Sequence, residues 1–492
     1  MKQPSKLAAL LCCSVITACS HQPKIDLPNN QIENPWYQSG EQAISNKLSH
    51  VDLNQAGKAK NIIVFLGDGM GISTLTAARI LQGQLKGKTG EENYLSFEEF
   101  PFSGLAKTYN TNQQTPDSAG TMSAIMTGVK TDAGVLAVDE TASKGDCKSS
   151  QGHEMISALE VAELSGKATG IVSTARITHA TPATTYAHSV DRNWESDDAM
   201  PQVAKEMGCL DIASQLIEGS RNNQAVDIIL GGGRRHFLPT IEGGKRLDGK
   251  NLIQQWQQQG GEYVETLAEL HQLPIEPKPL LGLFSNSHLS YAYQRPDHQP
   301  SLQQMTAAAL SRVRSNDKGY ALIIEAGRID HGHHEGRAYK ALTETQELHE
   351  TVAWLMTQVD IKDTLIVVTA DHSHTLTLSG YATRGNPILG YVVENDYDGH
   401  PKKEAALDLE GNTYTSLTYR DGPGASAHSD KHSMIGYEEV QQPNYQQLAL
   451  VPMDYETHGG EDVALYAIGP QAQLFSGTLE QHWVFHALKY AM

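Results

Sequence analysis

Cationic side chains are scarce in this sequence. The chain has 38 Lys and Arg residues against 57 Asp and Glu residues, which gives a formal net charge of −19. A wide nucleic-acid-binding face needs clustered Lys and Arg to neutralise phosphates, so nucleic acid is excluded as a specific partner. An acidic protein that acts on an anionic substrate needs a local source of positive charge, and bound metal ions can supply it.

Long apolar runs are absent after the N-terminal region, so no internal membrane-spanning helix is predicted. At the N-terminus, lysines precede an apolar stretch from Leu7 to Ala18 that is typical of a signal peptide. The run Ile16–Cys19 resembles a bacterial lipobox, which predicts a lipoprotein-type signal peptide over residues 1–19 and lipidation of Cys19. The alternative is ordinary cleavage after Ser20. We therefore expect an exported protein, either a lipid-anchored one facing the periplasm or the outside, or a soluble periplasmic or secreted one.

Cysteine is also rare. The chain has only 5 cysteines, and three of them lie in the signal region up to Cys19. Cys147 and Cys209 remain as an even pair, which an oxidising compartment would allow to form a disulfide. Two unpaired buried thiols are the alternative. A disulfide between them would close a long loop and contribute about 4 kcal/mol in the chain-entropy model.

The rest of the 492-residue sequence alternates between short apolar runs and helical patterns. A polar segment over 20–58 is interpreted as a tether with an N-terminal helix, followed by one large catalytic domain over 59–492. The predicted strands are Asn61–Leu66, Thr169–Ser173, Val226–Leu230, Ala321–Ile324, Thr364–Thr369 and Val463–Ile468. The predicted helices include Ser73–Gln82, Gly152–Leu164, Ser301–Arg314 and Glu335–Gln358. Because the strands are apolar along nearly their whole length, we expect an α/β fold with a large central, mostly parallel sheet sandwiched by helices.

Residues from about 380 to 451 break the alternation and are interpreted as an insertion with short β segments.

Polar residues of the kind that bind ligands follow the predicted strands. Asp68 comes directly after the first strand in the glycine-rich run GDGMG, where it also fits a helix-capping turn. Ser118 lies in TPDSAGT and opens a helical run, so the helix dipole would favour its alkoxide and a bound phosphate. A plain helix cap is the alternative for this serine. Ligands bind at the carboxyl ends of strands in open α/β sheets, which makes both positions candidates.

The segment after the strand Thr169–Ser173 supplies three more candidates. His179 and Thr181 are two residues apart, so they would share a face of an extended chain. Arg192 carries a planar guanidinium that can grip phosphate in bidentate fashion, although a lone Arg is usually a surface residue.

The strongest local signal is the run Glu325–Glu335, which directly follows a predicted buried strand. Asp330 and His334 have i, i+4 spacing, so one helical turn would place both on one metal ion. Glu325 could serve a harder ion such as magnesium. A solvated His-rich loop that binds metal adventitiously is the alternative.

Two further strand ends carry ligand-type residues. Asp371 and His372 follow the strand Thr364–Thr369, and His458 precedes the last strand, although each also fits a cap or a turn. Imidazoles and carboxylates suit zinc, whereas an all-oxygen set suits magnesium. So many such residues at the ends of strands predict a site with several metal ions beside Ser118.

Long segments in a fixed order resemble the alkaline phosphatases, and more closely their animal-type branch. They are PDSAGT (116–121), ATPATTYAHSVDR (180–192), GRIDHGHHEGRAYKALTET (327–345), VTADHSH (368–374) and ETHGGEDVALYAIGP (456–470). The resemblance covers nearly all of the chain from about Asn61 onward. It implies hydrolysis of small-molecule phosphate monoesters to inorganic phosphate and an alcohol, with two Zn²⁺ ions and one Mg²⁺ ion as cofactors. It also implies a disulfide between Cys147 and Cys209, and a homodimer with the 380–451 insertion as a crown-like interface domain.

The resemblance assigns roles at the site. Ser118 is implied as the nucleophile that becomes phosphorylated, and Arg192 as the phosphate clamp. The remaining implied residues are Asp330, His334 and His458 for one zinc, Asp68, Asp371, His372 and Ser118 for the other, Asp68, Glu325 and Thr181 for magnesium, and His179 and His331 for tuning of the third metal site and a phosphate-bound water.

A phosphodiesterase or a sulfatase of the same superfamily is the nearest alternative. A sulfatase would need a Cys or Ser in a C/S-x-P-x-R context, which Ser118 lacks, and a diesterase would usually lack a clamp such as Arg192. A non-catalytic, metal-binding surface lipoprotein, an alternative of another class, would need neither residue. Calcium is not expected, because Ser285 follows Phe284 where animal-type enzymes carry an acidic residue.

Overall fold

The computed structural model describes residues 27–48, 57–218, 226–276, 278–427 and 436–492. The predicted signal peptide over residues 1–19 and the predicted lipidation of Cys19 lie outside these ranges. Within them, no helix is long and apolar enough to cross a membrane. The boundaries predicted for the tether, the catalytic domain and the insertion remain predictions.

Strands and helices alternate through most of the described chain. The strands are β1 (Asn61–Gly67), β2 (Phe102–Lys107), β3 (Ala168–Arg176), β4 (Ile228–Gly232), β5 (Glu262–Val264), β6 (Leu280–Leu283), β7 (Tyr320–Ala326), β8 (Thr364–Ala370), β9 (Ser373–His374), β10 (Leu376–Leu378), β11 (Leu417–Gly422), β12 (Ala449–Pro452), β13 (His458–Gly459), β14 (Val463–Ile468) and β15 (Gly477–Glu480). The α-helices are α1 (Asn29–Ile32), α2 (Pro35–Leu48), α3 (Ile72–Leu85), α4 (Ser118–Thr127), α5 (Ala158–Leu164), α6 (Ala180–Ala183), α7 (Gln202–Glu206), α8 (Ile212–Glu218), α9 (Leu252–Gln258), α10 (Leu267–Gln272), α11 (Leu302–Val313), α12 (Arg328–His334), α13 (Ala338–Met356), α14 (Gly424–Ala427) and α15 (Trp483–Ala491).

A 10-stranded sheet forms the centre of the molecule, in the order β15-β2-β14-β8-β1-β7-β3-β4-β6-β5. Every pairing in it is parallel except the two that β14 makes with β2 and β8. Each residue of β1, β7 and β8 is buried, as expected for apolar strands covered by helices on both faces. The predicted α/β class, with a large and mostly parallel sheet, is confirmed.

Two predicted helices begin later than the sequence pattern indicated. The helix predicted from Gly152 begins at Ala158, because Gly152 has φ +85° and a capping box forms at Ser157. In that box the Ser157 Oγ accepts a hydrogen bond of 3.1 Å from the N–H of Glu160, whose carboxylate accepts one of 2.8 Å in return. The helix predicted from Glu335 is α13 and begins at Ala338, because Gly336 with φ +66° separates it from α12.

The interval predicted as an insertion contains short strands. β11 and β12 pair with β10, which precedes this interval, in a separate three-stranded sheet, and isolated bridges connect further extended segments between residues 382 and 415. The small sheet contacts α12, since the hydroxyl of Tyr419 on β11 lies 2.7 Å from His333 Nδ1.

Cys147 and Cys209 form a disulfide with a sequence separation of 62 residues. Closing a loop of this length removes chain entropy from the unfolded state and contributes about 4 kcal/mol. The bond lies in a small apolar cluster with Val190 and Trp194, which flank Arg192 in sequence. It therefore fixes the segment that carries this arginine.

Glu163 on α5 is a mostly buried carboxylate whose titration should affect stability. Burial, with Glu160 and Asp227 nearby, raises the pKa of Glu163 to about 7, although its Oε1 accepts a hydrogen bond of 2.9 Å from Thr169. Since the folded pKa exceeds the ordinary value of 4.5, the group favours folding at low pH and loses that contribution as the pH rises through 7. We expect Glu163→Gln to stabilise the protein by about 1–3 kcal/mol more at pH 8.5 than at pH 5.

Chemical denaturation at both pH values measures this difference in the free energy of unfolding. Glu140→Gln, at an exposed carboxylate, is the matched control and should show no such pH dependence. A pH-independent effect of Glu163→Gln would contradict the assignment.

Candidate active site

Polar side chains converge at the carboxyl ends of adjacent central strands. Asp68 follows β1, Glu325 lies near the end of β7, and Asp371 and His372 follow β8. These four side chains are at most 1% exposed. Because the strands are parallel and neighbours in the sheet, their ends place these groups at one edge, as predicted.

Ser118 is the first residue of α4 and is 2% exposed. Asp117 caps the helix, and its Oδ1 accepts a hydrogen bond of 3.0 Å from the N–H of Gly120. The Ser118 Oγ lies 3.0 Å from His372 Nε2. The hydroxyl is therefore at the positive end of a helix and next to the residues that follow β8.

Arg192 is anchored next to this serine. Its Nη1 donates a hydrogen bond of 3.0 Å to Asp117 Oδ2, and its Nη2 lies 3.4 Å from His179 Nε2. Burial opposes ionisation of Asp117, but Arg192 and the N–H groups of Gly120 and Gly134 lower the pKa of this carboxyl. Asp117 thus orients the guanidinium while it caps the helix of the serine.

Asp330, His334 and His458 form one compact group of ligand atoms. The Asp330 Oδ1 lies 3.2 Å from His334 Nε2 and 3.4 Å from His458 Nε2, and the two imidazole nitrogens are 3.2 Å apart. Ligand atoms of a tetrahedral zinc ion are separated by about 3.3 Å when the bonds are about 2.0 Å. The triangle therefore has the dimensions of a zinc site.

Asp68, Asp371 and His372 form a second group. The His372 Nε2 lies 3.5 Å from Asp68 Oδ1 and 3.3 Å from Asp371 Oδ2, in addition to its contact with Ser118. Burial and the surrounding carboxylates raise the pKa of Asp68 and of Asp371. Burial lowers the pKa of His372 well below its usual value, which keeps the ring neutral and able to bind a metal ion.

A third group consists of oxygen atoms. Both carboxylate oxygens of Asp68, the Oε1 of Glu325 and the Oγ1 of Thr181 are buried without a hydrogen-bond partner among the described residues. Burial raises the pKa of Glu325 to about 8, with Asp371 and Asp330 adding to the shift. Buried oxygens without partners are costly, and a hard cation would satisfy them.

Three imidazoles lie on the Arg192 side of the site, and one of them, His288, was not predicted. The His288 ring is 4.0 Å from that of His331 and 5.4 Å from that of His179. Burial, with Arg328 nearby, lowers the pKa of His331 to about 3, and burial lowers the pKa of His179 and of His288 well below the usual value. The Nδ1 atoms of His179 and His331 are buried and have no partner among the described residues, so both rings can bond to a ligand or water.

His374 and Glu456 were also missed by the sequence analysis. His374 Nε2 lies 2.8 Å from Asp330 Oδ1, and its Nδ1 lies 2.6 Å from Glu456 Oε2. Burial opposes protonation of this ring, but Glu456 and Asp330 raise the pKa of His374 to about 10. The chain from Glu456 through His374 to Asp330 fixes one carboxylate of the first ligand group.

His374→Ala should weaken metal binding at the group of Asp330, because the Asp330 carboxylate loses its orienting partner and Glu456 Oε2 loses its hydrogen bond to the ring. Removal of such an outer partner typically costs about 10–100-fold in metal affinity. Zinc titration of chelator-treated protein measures the change, and activity should return at higher zinc. His271→Ala, at an exposed histidine on α10, is the control. Unchanged zinc affinity in His374→Ala would show that the contact is not needed.

Comparisons with known proteins identify the family of the chain. The alkaline phosphatase family model matches residues 59–492. The tissue-nonspecific alkaline phosphatase of Gallus gallus is 43% identical over 475 residues, which cover 93% of this chain and 88% of the relative. The solved alkaline phosphatase of Thermus thermophilus has a TM-score of 0.64 at 24% identity, over 89% of this chain and 93% of its own. A variant of the TAB5 alkaline phosphatase, solved with magnesium bound, has a TM-score of 0.61 at 20% identity, over 89% of this chain and 99% of its own.

The fold is that of an α/β hydrolytic enzyme whose polar groups lie at the carboxyl edge of a parallel sheet. The chain belongs to the alkaline phosphatase family. It is accordingly a phosphoric monoester hydrolase, and enzymes of this family generally use zinc and magnesium.

Proposed function

We propose that this enzyme hydrolyses phosphate monoesters through a phosphoserine on Ser118 and releases inorganic phosphate and an alcohol. The observation that carries this proposal is the position of the Ser118 hydroxyl. It is 2% exposed, lies at the N-terminus of α4 and is 3.0 Å from His372 Nε2. The neighbouring Asp117 holds the guanidinium of Arg192 beside it.

The residues at the site fit two zinc ions and one magnesium ion. Two groups have nitrogen and oxygen donors at spacings suited to zinc, and the third has only oxygen atoms without partners. We assign Asp330, His334 and His458 to one zinc, Asp68, Asp371, His372 and Ser118 to the other, and Asp68, Glu325 and Thr181 to magnesium. Such cations, when bound, lower the pKa of a hydroxyl and balance the charge of phosphate.

Each of the chain's own site residues has a separate role in the reaction. The Ser118 oxygen attacks phosphorus in line and the substrate alcohol leaves, which forms the phosphoserine. Arg192 donates to two non-bridging oxygens and holds the phosphoryl group in position, oriented by Asp117. We assign His179 and His331 to tuning of the third metal site and a phosphate-bound water. Water then cleaves the phosphoserine and regenerates the hydroxyl of Ser118.

We further propose a homodimer that uses the 380–451 insertion as a crown-like contact. Within it, Tyr381, Tyr397 and Leu409 are 88%, 103% and 107% exposed. A subunit contact over this insertion would bury such exposed apolar side chains. Light scattering that gives a monomer mass would contradict this homodimer.

Export and a lipid anchor at Cys19 remain predictions. Mass spectrometry of the N-terminal peptide of the mature protein checks them.

Turnover of matched esters tests the proposed activity. Purified, metal-loaded enzyme should release phosphate from phenyl phosphate much faster than it cleaves diphenyl phosphate or phenyl sulfate. The reason is that Arg192 and the metal groups surround a terminal phosphate with several free anionic oxygens, which a diester lacks. Preference for the diester or the sulfate ester would support the corresponding alternative instead.

A further inference from the structure

A polar cleft of about 460 Å³ lies beside the proposed catalytic centre. Residues 107–114 form one wall, and Gly460 and Asp462 form the other. A volume of this size is within the range of small-molecule sites. None of the residues that line it belongs to the site described above.

The position of the cleft relates it to the reaction. Both walls lead directly into the centre, since residue 114 is four positions before Ser118 and Gly460 is two positions after His458. The His458 Nδ1 lies 2.8 Å from the carbonyl oxygen of Pro116, which joins the two walls. Two residues span at most about 7 Å and four at most about 14 Å, so a group attached to the bound phosphate can reach the cleft.

The geometry of in-line displacement indicates which part of the substrate lies there. In the proposed assignment, Ser118 and His372 share one zinc ion and His458 binds the other, so the leaving alcohol would lie on the side of His458. The cleft wall at Gly460 is two residues after His458 in the chain. The cleft is thus adjacent to the leaving alcohol.

The loop that forms the first wall is held in place. The N–H of Thr111 donates a hydrogen bond of 3.1 Å to Thr131, and the Asn112 Oδ1 accepts one of 2.9 Å from the N–H of Ala133. The Asn110 amide donates a hydrogen bond of 3.1 Å to Asp117, while its Oδ1 is buried without a partner among the described residues. The cleft is therefore preformed and coupled to the residue that anchors Arg192.

Free polar groups in the cleft are mostly neutral. Gln113 and Gln114 are exposed, and their side-chain amides form no hydrogen bond within the described residues. Each amide offers two donors and an acceptor, as needed to bind hydroxyl groups. The charged lining is balanced, because the Lys107 ammonium lies 3.1 Å from Glu480 and the opposite wall has Asp462. A second phosphate would find no unpaired cation there.

A nucleobase fits less well than a sugar. Its binding would need an open aromatic face for stacking, and the ring that lines the cleft is that of Tyr109. The Lys130 ammonium lies 3.3 Å from the centroid of this ring, and Trp36 contacts it edge-on at 6.3 Å. The aromatic surface is thus already used.

We propose that the cleft binds the polyhydroxylated alcohol portion of the substrate, so that sugar phosphates are preferred among phosphate monoesters, with Gln113 and Gln114 as specificity-determining residues. This inference rests on the proposed monoesterase function. It adds to that function the class of alcohol, which the phosphate-binding residues do not select.

Comparison of glucose 6-phosphate with ethyl phosphate tests the proposal, because both are esters of primary alcohols and only the first carries ring hydroxyls. The metal-loaded wild-type enzyme should have the higher kcat/KM on glucose 6-phosphate. In the variant Gln113→Ala/Gln114→Ala, kcat/KM on glucose 6-phosphate should fall about tenfold, as expected for the loss of two hydrogen bonds. Its kcat/KM on ethyl phosphate should stay within about twofold.

The matched control is Gln257→Ala/Gln258→Ala, an exposed adjacent pair on α9, which should leave kcat/KM on both substrates unchanged. An equal loss on both esters, no loss on either, or a wild-type preference for adenosine 5′-phosphate over the sugar phosphate would overturn the proposal. Failure of the wild-type enzyme to hydrolyse ethyl phosphate at all would instead contradict the proposed function. Turnover of ethyl phosphate also shows that the variant is folded.

Discussion

Replacement of Ser118 by alanine should reduce kcat/KM for phenyl phosphate by about a thousandfold or more while zinc content stays close to that of the wild type. Among the described residues, the hydroxyl is the only nucleophile at the N-terminus of a helix and within 3.0 Å of His372. Its loss leaves the three other proposed ligands of the same ion in place, so the metal should remain. Steady-state kinetics and elemental analysis of the same preparation give both quantities.

A trapped intermediate separates a nucleophile from a merely nearby residue. Wild-type enzyme quenched in acid after incubation with labelled substrate should retain phosphate on a serine, and Ser118→Ala should retain none. Ser123→Ala, which removes another buried hydroxyl from α4, controls for damage to the helix. It should keep its turnover within about twofold. Label that persists in Ser118→Ala would refute the assignment.

The central strands could be predicted because the pattern that identifies each of them lies within its own short stretch of sequence. β1, β7 and β8 are buried at every residue, so their sequences are continuous apolar runs that stand out from the helical pattern around them. The strand β2 could not be predicted in this way. Its residues alternate between partly buried and exposed at most positions, so it has no continuous apolar run. The order of strands depends on long-range pairing that no local pattern contains.

The same distinction applies to the site. Asp68, Asp371 and Asp330 could be proposed because each follows a recognisable strand, and parallel strands end at one edge. His374 and Glu456 escaped because their roles arise only in three dimensions. The antiparallel pairing of β9 with β13 sets His374 opposite His458, and Glu456 reaches it from the same turn. His288 comes from a loop after β6, and only its packing on His331 reveals it.

Removal of metal should abolish activity and destabilise the fold, and zinc with magnesium should restore both. The structure gives the reason, since the oxygens of Asp68, Glu325 and Thr181 are buried without partners among the described residues. Burial and neighbouring carboxylates also raise the pKa of Asp68 and of Asp371. Unpaired buried carboxylates are expensive, so the metal-free fold contains an uncompensated cost.

The expected loss of stability can be estimated from mass action. A ligand present at about 1,000 times its Kd adds about 4 kcal/mol to the free energy of unfolding, so each tightly held ion should contribute about this amount. Thermal unfolding of chelator-treated protein, before and after stepwise return of zinc and then magnesium, measures the contribution. Activity followed in the same titration shows whether the two properties return together.

Two variants distinguish the zinc group of Asp330 from the magnesium group of Glu325. Asp330→Asn should abolish one zinc equivalent and most activity, whereas Glu325→Gln should lower magnesium affinity and leave zinc content close to the wild-type value. The difference follows from the donor sets, because imidazole nitrogens accompany Asp330 but only oxygens accompany Glu325. Full turnover in metal-free protein, or loss of all metal from Glu325→Gln alone, would contradict a site built from separate zinc and magnesium positions.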